Sequence, residues 1–159
     1  ETTLKYVFLT NDSQIANVVV GRLSIGGSVI TIALASRAGD GFYLYEFDKD
    51  GSNRRTTMRK STGSPRVDDI AIDEKRMCVY TLDAWKGSVS TYEVLKTESI
   101  GAQMLRLRLV QDGVQVDTNP YNGIAASSGA VIISGGTSRL TFFRERKFEK
   151  KKKINKKKI

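Results

Sequence analysis

A hairpin that occurs three times constrains the fold of this chain more than any other sequence feature. Its clearest copy lies in residues 73–94, DEKRMCVYTLDAWKGSVSTYEV. The residues on either side of the turn are β-branched and aromatic, which are the types that fit a half-buried, pleated strand. Asp83, Lys86 and Gly87 provide turn residues between the two runs. The segment therefore predicts two antiparallel strands joined by a short turn.

The spacing of the copies indicates the size of one repeating unit. Their first strands begin near Val29, Cys78 and Val131, so successive copies are 49 and 53 residues apart. The second and third copies are preceded by VDDIAID and YNGIAAS, each of which predicts a further short strand. A period of about 40 to 50 residues is typical of β-propeller blades, which have four strands each. The alternative is a single antiparallel sandwich or barrel with similarly spaced turns.

The repeat also resembles a known family. IAIDEKRMCVYTLDAWKGSVSTYEV is similar to the β-propeller repeat of lactonase-like and YVTN-type proteins, and FYLYEFDKDGSNRRTTM resembles the outer half of such a blade. The resemblance implies an all-β fold of about three four-stranded antiparallel blades, a partial β-propeller, within residues 1–143. Three blades cannot close a ring. We therefore expect the chain to be part of a longer propeller or to associate with another subunit.

Two further segments predict strands, and two others predict turns. The apolar stretch from Ile15 to Ala35 contains Arg22 and three glycines, which favours two strands over a membrane-spanning helix. In LRLRL the leucines at 105, 107 and 109 alternate with arginines, which predicts a strand with one buried face. The Asp-Gly pairs in DKDGSN and QDG, which lie in residues 48–53 and 111–113, predict hairpin turns.

The positive charge is concentrated at the end of the chain. The formal net charge is +9, of which residues 144–159 carry +8 and residues 1–143 only +1. Like charges at this density oppose packing, so we expect a disordered basic tail that attracts nucleic acid or another polyanion nonspecifically. The lysines that would make these contacts are Lys150, Lys151, Lys152, Lys153, Lys156, Lys157 and Lys158.

The residue composition excludes several kinds of catalytic site. The chain has no histidine and only one cysteine, so it has no His-dependent triad, His-ligated metal or multi-thiolate zinc site. No metal or cofactor is expected. The remaining catalytic candidates are Asp68, Asp69 and Asn122, at the entries of two predicted innermost strands. Carboxylates in such positions more often accept hydrogen bonds in turns, and this is the interpretation we favour for Asp73, Asp83 and Asp117.

These observations favour a binding protein over an enzyme. We expect a non-catalytic propeller segment that binds a protein or ligand. Trp85 is a candidate partner contact, but packing over a neighbouring blade is the interpretation we favour for it. The first alternative is a fragment of a lactonase-like propeller enzyme. A weaker alternative is an RNA-associated protein that binds through its basic tail. No membrane association is expected, and the cytoplasm or nucleus is the expected location.

Overall fold

The described part of the computed structural model consists of β-strands without a helix. It comprises residues 15–25, 27–37, 41–47, 55–59, 66–97, 104–116, 121–135 and 140–144. The strands in chain order are β1 (Ile15–Ile25), β2 (Ser28–Arg37), β3 (Gly41–Phe47), β4 (Arg55–Arg59), β5 (Asp69–Asp73), β6 (Cys78–Asp83), β7 (Ser88–Thr97), β8 (Met104–Gln115), β9 (Tyr121–Ser127), β10 (Ala130–Gly135) and β11 (Leu140–Arg144). The prediction of an all-β chain is confirmed.

The strands form three antiparallel sheets whose internal order follows the chain. The first sheet is β1-β2-β3-β4, the middle sheet is β5-β6-β7-β8 and the third sheet is β9-β10-β11. The described strands do not close into a barrel, and they divide into three sheets where a sandwich has two. The third sheet has three strands in the described part of the chain, where four were expected. The three predicted hairpins are β2–β3, β6–β7 and β10–β11.

The middle sheet lies between the other two. It can contact both of them because successive residues of a strand point to opposite faces of the sheet. Val79 and Tyr92 belong to a core cluster shared with the first sheet, whereas Tyr80 and Leu82 belong to a second cluster shared with the third sheet. Both faces of the middle sheet are therefore covered. Burial of a large apolar side chain contributes about 1.5 to 3 kcal/mol, so these two clusters are the main stabilising contacts between sheets.

An aromatic contact and a hydrogen bond also join the first and middle sheets. The rings of Phe42 in β3 and Tyr92 in β7 meet edge to face, with centroids 5.2 Å apart. The buried Glu46 carboxylate in β3 accepts a hydrogen bond from the backbone N–H of Leu105 in β8. A hydrogen bond to a charged group contributes about 1.5 to 3 kcal/mol, and it also specifies the alignment of the two sheets.

Two strand predictions made from apolar patterns are confirmed. The apolar stretch that contains Arg22 forms β1 and β2, which pair as an antiparallel hairpin. In β8 Leu105 and Leu107 are buried, and Arg106 and Arg108 are exposed. Within the described residues no helix has the length and apolar character needed to cross a bilayer.

The hairpin turn predicted at residues 111–113 is wrong, because β8 continues through this segment. Asp112 and Gly113 lie together opposite Ser90 of β7, which is a β-bulge. The Ser90 hydroxyl donates to Asp112 at 2.8 Å and accepts from the Gly113 N–H at 3.0 Å. Gly113 has φ = 57°, so its left-handed backbone serves a bulge here instead of a turn. The turn predicted at residues 48–53 lies outside the described residues.

We expect Gly113→Ala to lower the free energy of unfolding by about 1 to 2 kcal/mol, because a left-handed conformation costs an L-residue about that much. A Cβ atom at this position would have no heavy atom within 4 Å, so it would not overlap with a neighbour. The loss of stability therefore measures backbone strain alone. Urea unfolding measures the change. Gly113→Asn is the matched control and should cost less, since Asn tolerates this conformation. Equal stability of Gly113→Ala and the wild type would contradict the bulge geometry.

Candidate binding surface

The turn between β6 and β7 is held by a side chain of the preceding strand. The Asp83 carboxylate accepts a hydrogen bond of 2.9 Å from the backbone N–H of Lys86. Asp73 acts in the same way in the β5–β6 turn, where it accepts from the N–H of Arg76 at 3.1 Å. The turn role predicted for these two aspartates is confirmed, and Asp117 lies outside the described residues.

A second aspartate, Asp68, connects this turn to the segment that precedes β5. One oxygen of Asp68 accepts from the backbone N–H of Ala84 at 2.8 Å, and the other accepts from Nε of Arg66 at 2.6 Å. The Asp68 N–H donates to the carbonyl of Leu82. From the other side, the Gln115 side chain donates to the carbonyl of Lys86 at 2.7 Å. The backbone of the turn is therefore held in place before any partner binds.

These contacts create an exposed aromatic and cationic surface. We define the Trp85 surface as Arg66, Asp83, Trp85 and Lys86, which line a shallow cleft of about 270 Å³. Trp85 is 82% exposed, so the favoured prediction that it packs over a neighbouring blade is wrong. The guanidinium carbon of Arg66 lies 6.0 Å from the centre of the Trp85 ring, at the limit of a cation–π contact.

The exposed charge of the Trp85 surface is positive. The side-chain hydrogen bond to Asp68 and the nearby charge of Asp68 raise the pKa of Arg66 above its ordinary value. The guanidinium of an arginine is cationic at physiological pH in any case. Asp83 is buried, and its carboxylate accepts from the turn backbone. Lys86 is exposed. A ligand at this surface would meet the indole ring, the Arg66 guanidinium, which is ion-paired with Asp68, and the Lys86 ammonium.

Asp69 lies apart from the Trp85 surface and connects the first strands of all three sheets. Its Oδ1 atom accepts from the side-chain amide of Asn17 in β1 and from its neighbour's N–H in β5. Its Oδ2 atom accepts from the N–H of Ile124 in β9 at 2.8 Å. A Cβ atom at Gly123 would lie 3.2 Å from the same oxygen, so glycine allows the close approach. We call this arrangement the Asp69 clasp.

The structure gives the predicted catalytic candidates Asp68 and Asp69 different hydrogen-bond partners. Asp68 bonds to Arg66 and Ala84, whereas Asp69 bonds to neighbouring sheets. Asn122 lies in β9, but its side chain lies outside the described residues. Among the residues described, no group of three or more His, Cys, Asp or Glu side chains is placed to hold a metal ion. A catalytic role for the three candidates stays a prediction.

Comparison with known proteins does not assign this chain to a family. No family model matches it, and no curated protein matches it. The resemblance to lactonase-like and YVTN-type repeats therefore rests on the sequence pattern alone.

Sequence reasoning identified Trp85 but missed Arg66. The signal available was local: Arg66 and Asp68 are two residues apart, and in an extended segment such residues share a face. The proximity of Arg66 to Trp85 was not visible, because it depends on the hydrogen bond between Asp68 and Ala84. The basic residues of the tail from Glu145 onward lie outside the described residues.

Proposed function

We propose that this chain is a non-catalytic binding scaffold and that the Trp85 surface contacts a protein partner. The observation that carries the proposal is the exposure of 82% of Trp85 on a turn whose backbone is held by Asp68 and Asp83. Tryptophan and arginine are the residue types most enriched among strong interface contacts. A rigid turn also lowers the entropy lost on binding.

The chemistry of the surface favours a particular kind of partner segment. Arg66 and Lys86 attract carboxylates, and the ring of Trp85 accepts an apolar or aromatic side chain. The matching ligand is a peptide segment in which an apolar residue is flanked by aspartate or glutamate. Electrostatic attraction would increase the association rate, and burial of the indole would supply most of the affinity.

The scaffold itself is proposed to be a partial β-propeller. Three features support this proposal: the order of strands in each sheet follows the chain, the first strands of the sheets lie side by side at the Asp69 clasp, and the middle sheet packs against a neighbour on each face. Propeller blades pack face to face around their innermost strands in the same manner. Fold alone does not specify function, so the binding proposal depends on the Trp85 surface.

We expect Trp85→Ala to weaken binding of acidic-apolar peptides about 30-fold, which corresponds to the loss of a strong interface contact. The probes are fluorescently labelled synthetic peptides with a central Leu or Phe and flanking Asp and Glu, and binding is measured by polarisation at physiological salt. Arg66→Gln should give a smaller loss. In the wild type, binding should also shift the emission of the single tryptophan to shorter wavelength.

Two controls test whether binding is specific to the Trp85 surface and to acidic peptides. Lys96→Ala removes an exposed cation at the opposite end of β7 and should leave affinity unchanged. Peptides with Lys in place of Asp and Glu should not bind. Acidic peptides that bind Trp85→Ala as tightly as the wild type would place their binding in the lysine-rich tail, and the proposed function would then be rejected.

A further inference from the structure

The outermost faces of the first and third sheets carry exposed apolar side chains. On the first sheet these include Val18, which is 55% exposed, and Val29, which lies on the same face. On the third sheet they are Phe142, which is 66% exposed, and Leu140. Clustered exposed apolar groups on a folded protein often mark an interaction site.

The repeat valine shows how the three sheets are oriented. Val29, Val79 and Val131 are each the second residue of the second strand in their sheet. Val79 is buried against the first sheet, and Val131 is buried against the middle sheet. Val79 and Val131 therefore each face the sheet that precedes their own in the chain. Val29 is 43% exposed because no described sheet precedes the first one.

The opposite face of each sheet meets the sheet that follows. In the first sheet Ile30, next to Val29, is buried against the middle sheet, and in the middle sheet Tyr80, next to Val79, is buried against the third. In the third sheet Ile132, next to Val131, is paired with Phe142 in β11 and shares its face. Phe142 thus lies on the face that corresponds to the Ile30 face of the first sheet and the Tyr80 face of the middle sheet. Within the chain, each of those two faces packs against the next sheet, on the side where that sheet carries its repeat valine.

We infer that a second copy of this chain covers these surfaces, with the third sheet of one copy packed against the first sheet of the other. The contact would continue the two sheet-to-sheet contacts already present within the chain, in the same direction. Contacts between unlike faces close into a ring when the rotation allows it. Two copies would form a ring of six sheets, which is within the usual range for propellers.

This inference does not depend on the Trp85 surface. Trp85 lies in the β6–β7 turn at the end of the middle sheet, away from the faces of Val29 and Phe142. Trp85→Ala should therefore associate like the wild type. Failure of the peptide-binding experiment and failure of self-association are thus separate results.

Sedimentation velocity over a concentration series tests the inference on the full chain. The wild type should sediment with twice the mass of one chain. Val29→Glu and Phe142→Glu should each raise the dissociation constant of the dimer about 100-fold, because the introduced carboxylate would be an unpaired charge buried between the two copies. Gln111→Glu adds the same charge at an exposed position of β8 and should change nothing. A monomeric wild type at all concentrations would overturn the inference.

Mixing the two variants tests whether the contact joins unlike faces. Val29→Glu retains an intact Phe142 face, and Phe142→Glu retains an intact Val29 face. An equimolar mixture should therefore form a one-to-one complex through a single contact, although neither variant associates alone. If only one of the two variants weakened the dimer, the contact would join like faces and the inference would be wrong. Val18→Glu and Leu140→Glu repeat the test if either first variant fails to fold by circular dichroism.

Discussion

Asp69→Ala is expected to destabilise the chain by about 3 to 5 kcal/mol. The carboxylate is nearly buried and accepts hydrogen bonds from Asn17, Ile70 and Ile124, which belong to the first strands of three different sheets. Its removal would leave these donors without that acceptor, and each unsatisfied buried group costs about 1 to 3 kcal/mol. A domain with a typical stability of about 5 to 15 kcal/mol would lose a large part of it.

Urea unfolding followed by circular dichroism measures this effect. Asp69→Asn keeps the shape and one carbonyl oxygen, so we expect about half of the loss. Asp112→Ala is the matched control, because Asp112 is an exposed aspartate that accepts from Ser90 within a single sheet. Its cost should stay below about 1 kcal/mol. An unchanged unfolding midpoint for Asp69→Ala would show that the Asp69 clasp does not stabilise the contact between sheets.

Removal of residues 145–159 is expected to abolish most polyanion binding and to leave the fold intact. The removed segment contains nine basic and two acidic residues, and the truncation keeps the whole of β11, which ends at Arg144. Each contact between a cation and a phosphate of single-stranded RNA contributes about 0.7 to the salt slope. Seven lysine contacts would give a slope of about −5, with an affinity loss of at least about 100-fold at low salt after truncation.

Binding to a homopolymeric RNA across a salt series tests this prediction, with circular dichroism as the folding control. Replacing the seven lysines of the tail by arginine keeps the charge and should keep the binding, whereas replacing them by glutamine should match the truncation. Binding by the truncated chain that resists high salt would place a nucleic-acid site on the folded body. RNA binding by the folded body, instead of by the basic tail, would then become the leading function.

Local chemistry explains which features were predictable from the sequence. Strands β6 and β7 follow from β-branched and aromatic runs around a turn, and the alternation in LRLRL predicts which side of β8 is buried. The turn roles of Asp73 and Asp83 follow because each side chain accepts from a backbone N–H only three residues away. Each of these interactions lies within a few residues of the chain or within one strand.

The local sequence does not distinguish a hairpin turn from a β-bulge, because both can contain a glycine with the same backbone conformation. The Asp-Gly pair at residues 112 and 113 is typical of a hairpin turn, yet it forms a bulge inside β8. The positive φ of Gly113 fits both structures. Pairing with β7 on both sides of the bulge decides between them, and that pairing involves residues twenty or more positions away.

The sequence by itself therefore determined the class of fold, the positions of the repeated hairpins and the exposed face of individual strands, since these depend on side-chain type and on short-range periodicity. Only the tertiary structure decided what Asp69 and Arg66 do. Asp69 contacts residues 52 and 55 positions away, and Arg66 reaches Trp85 because Asp68 holds two separate segments together. Such contacts depend on how sheets pack, and no local pattern along the chain specifies that packing.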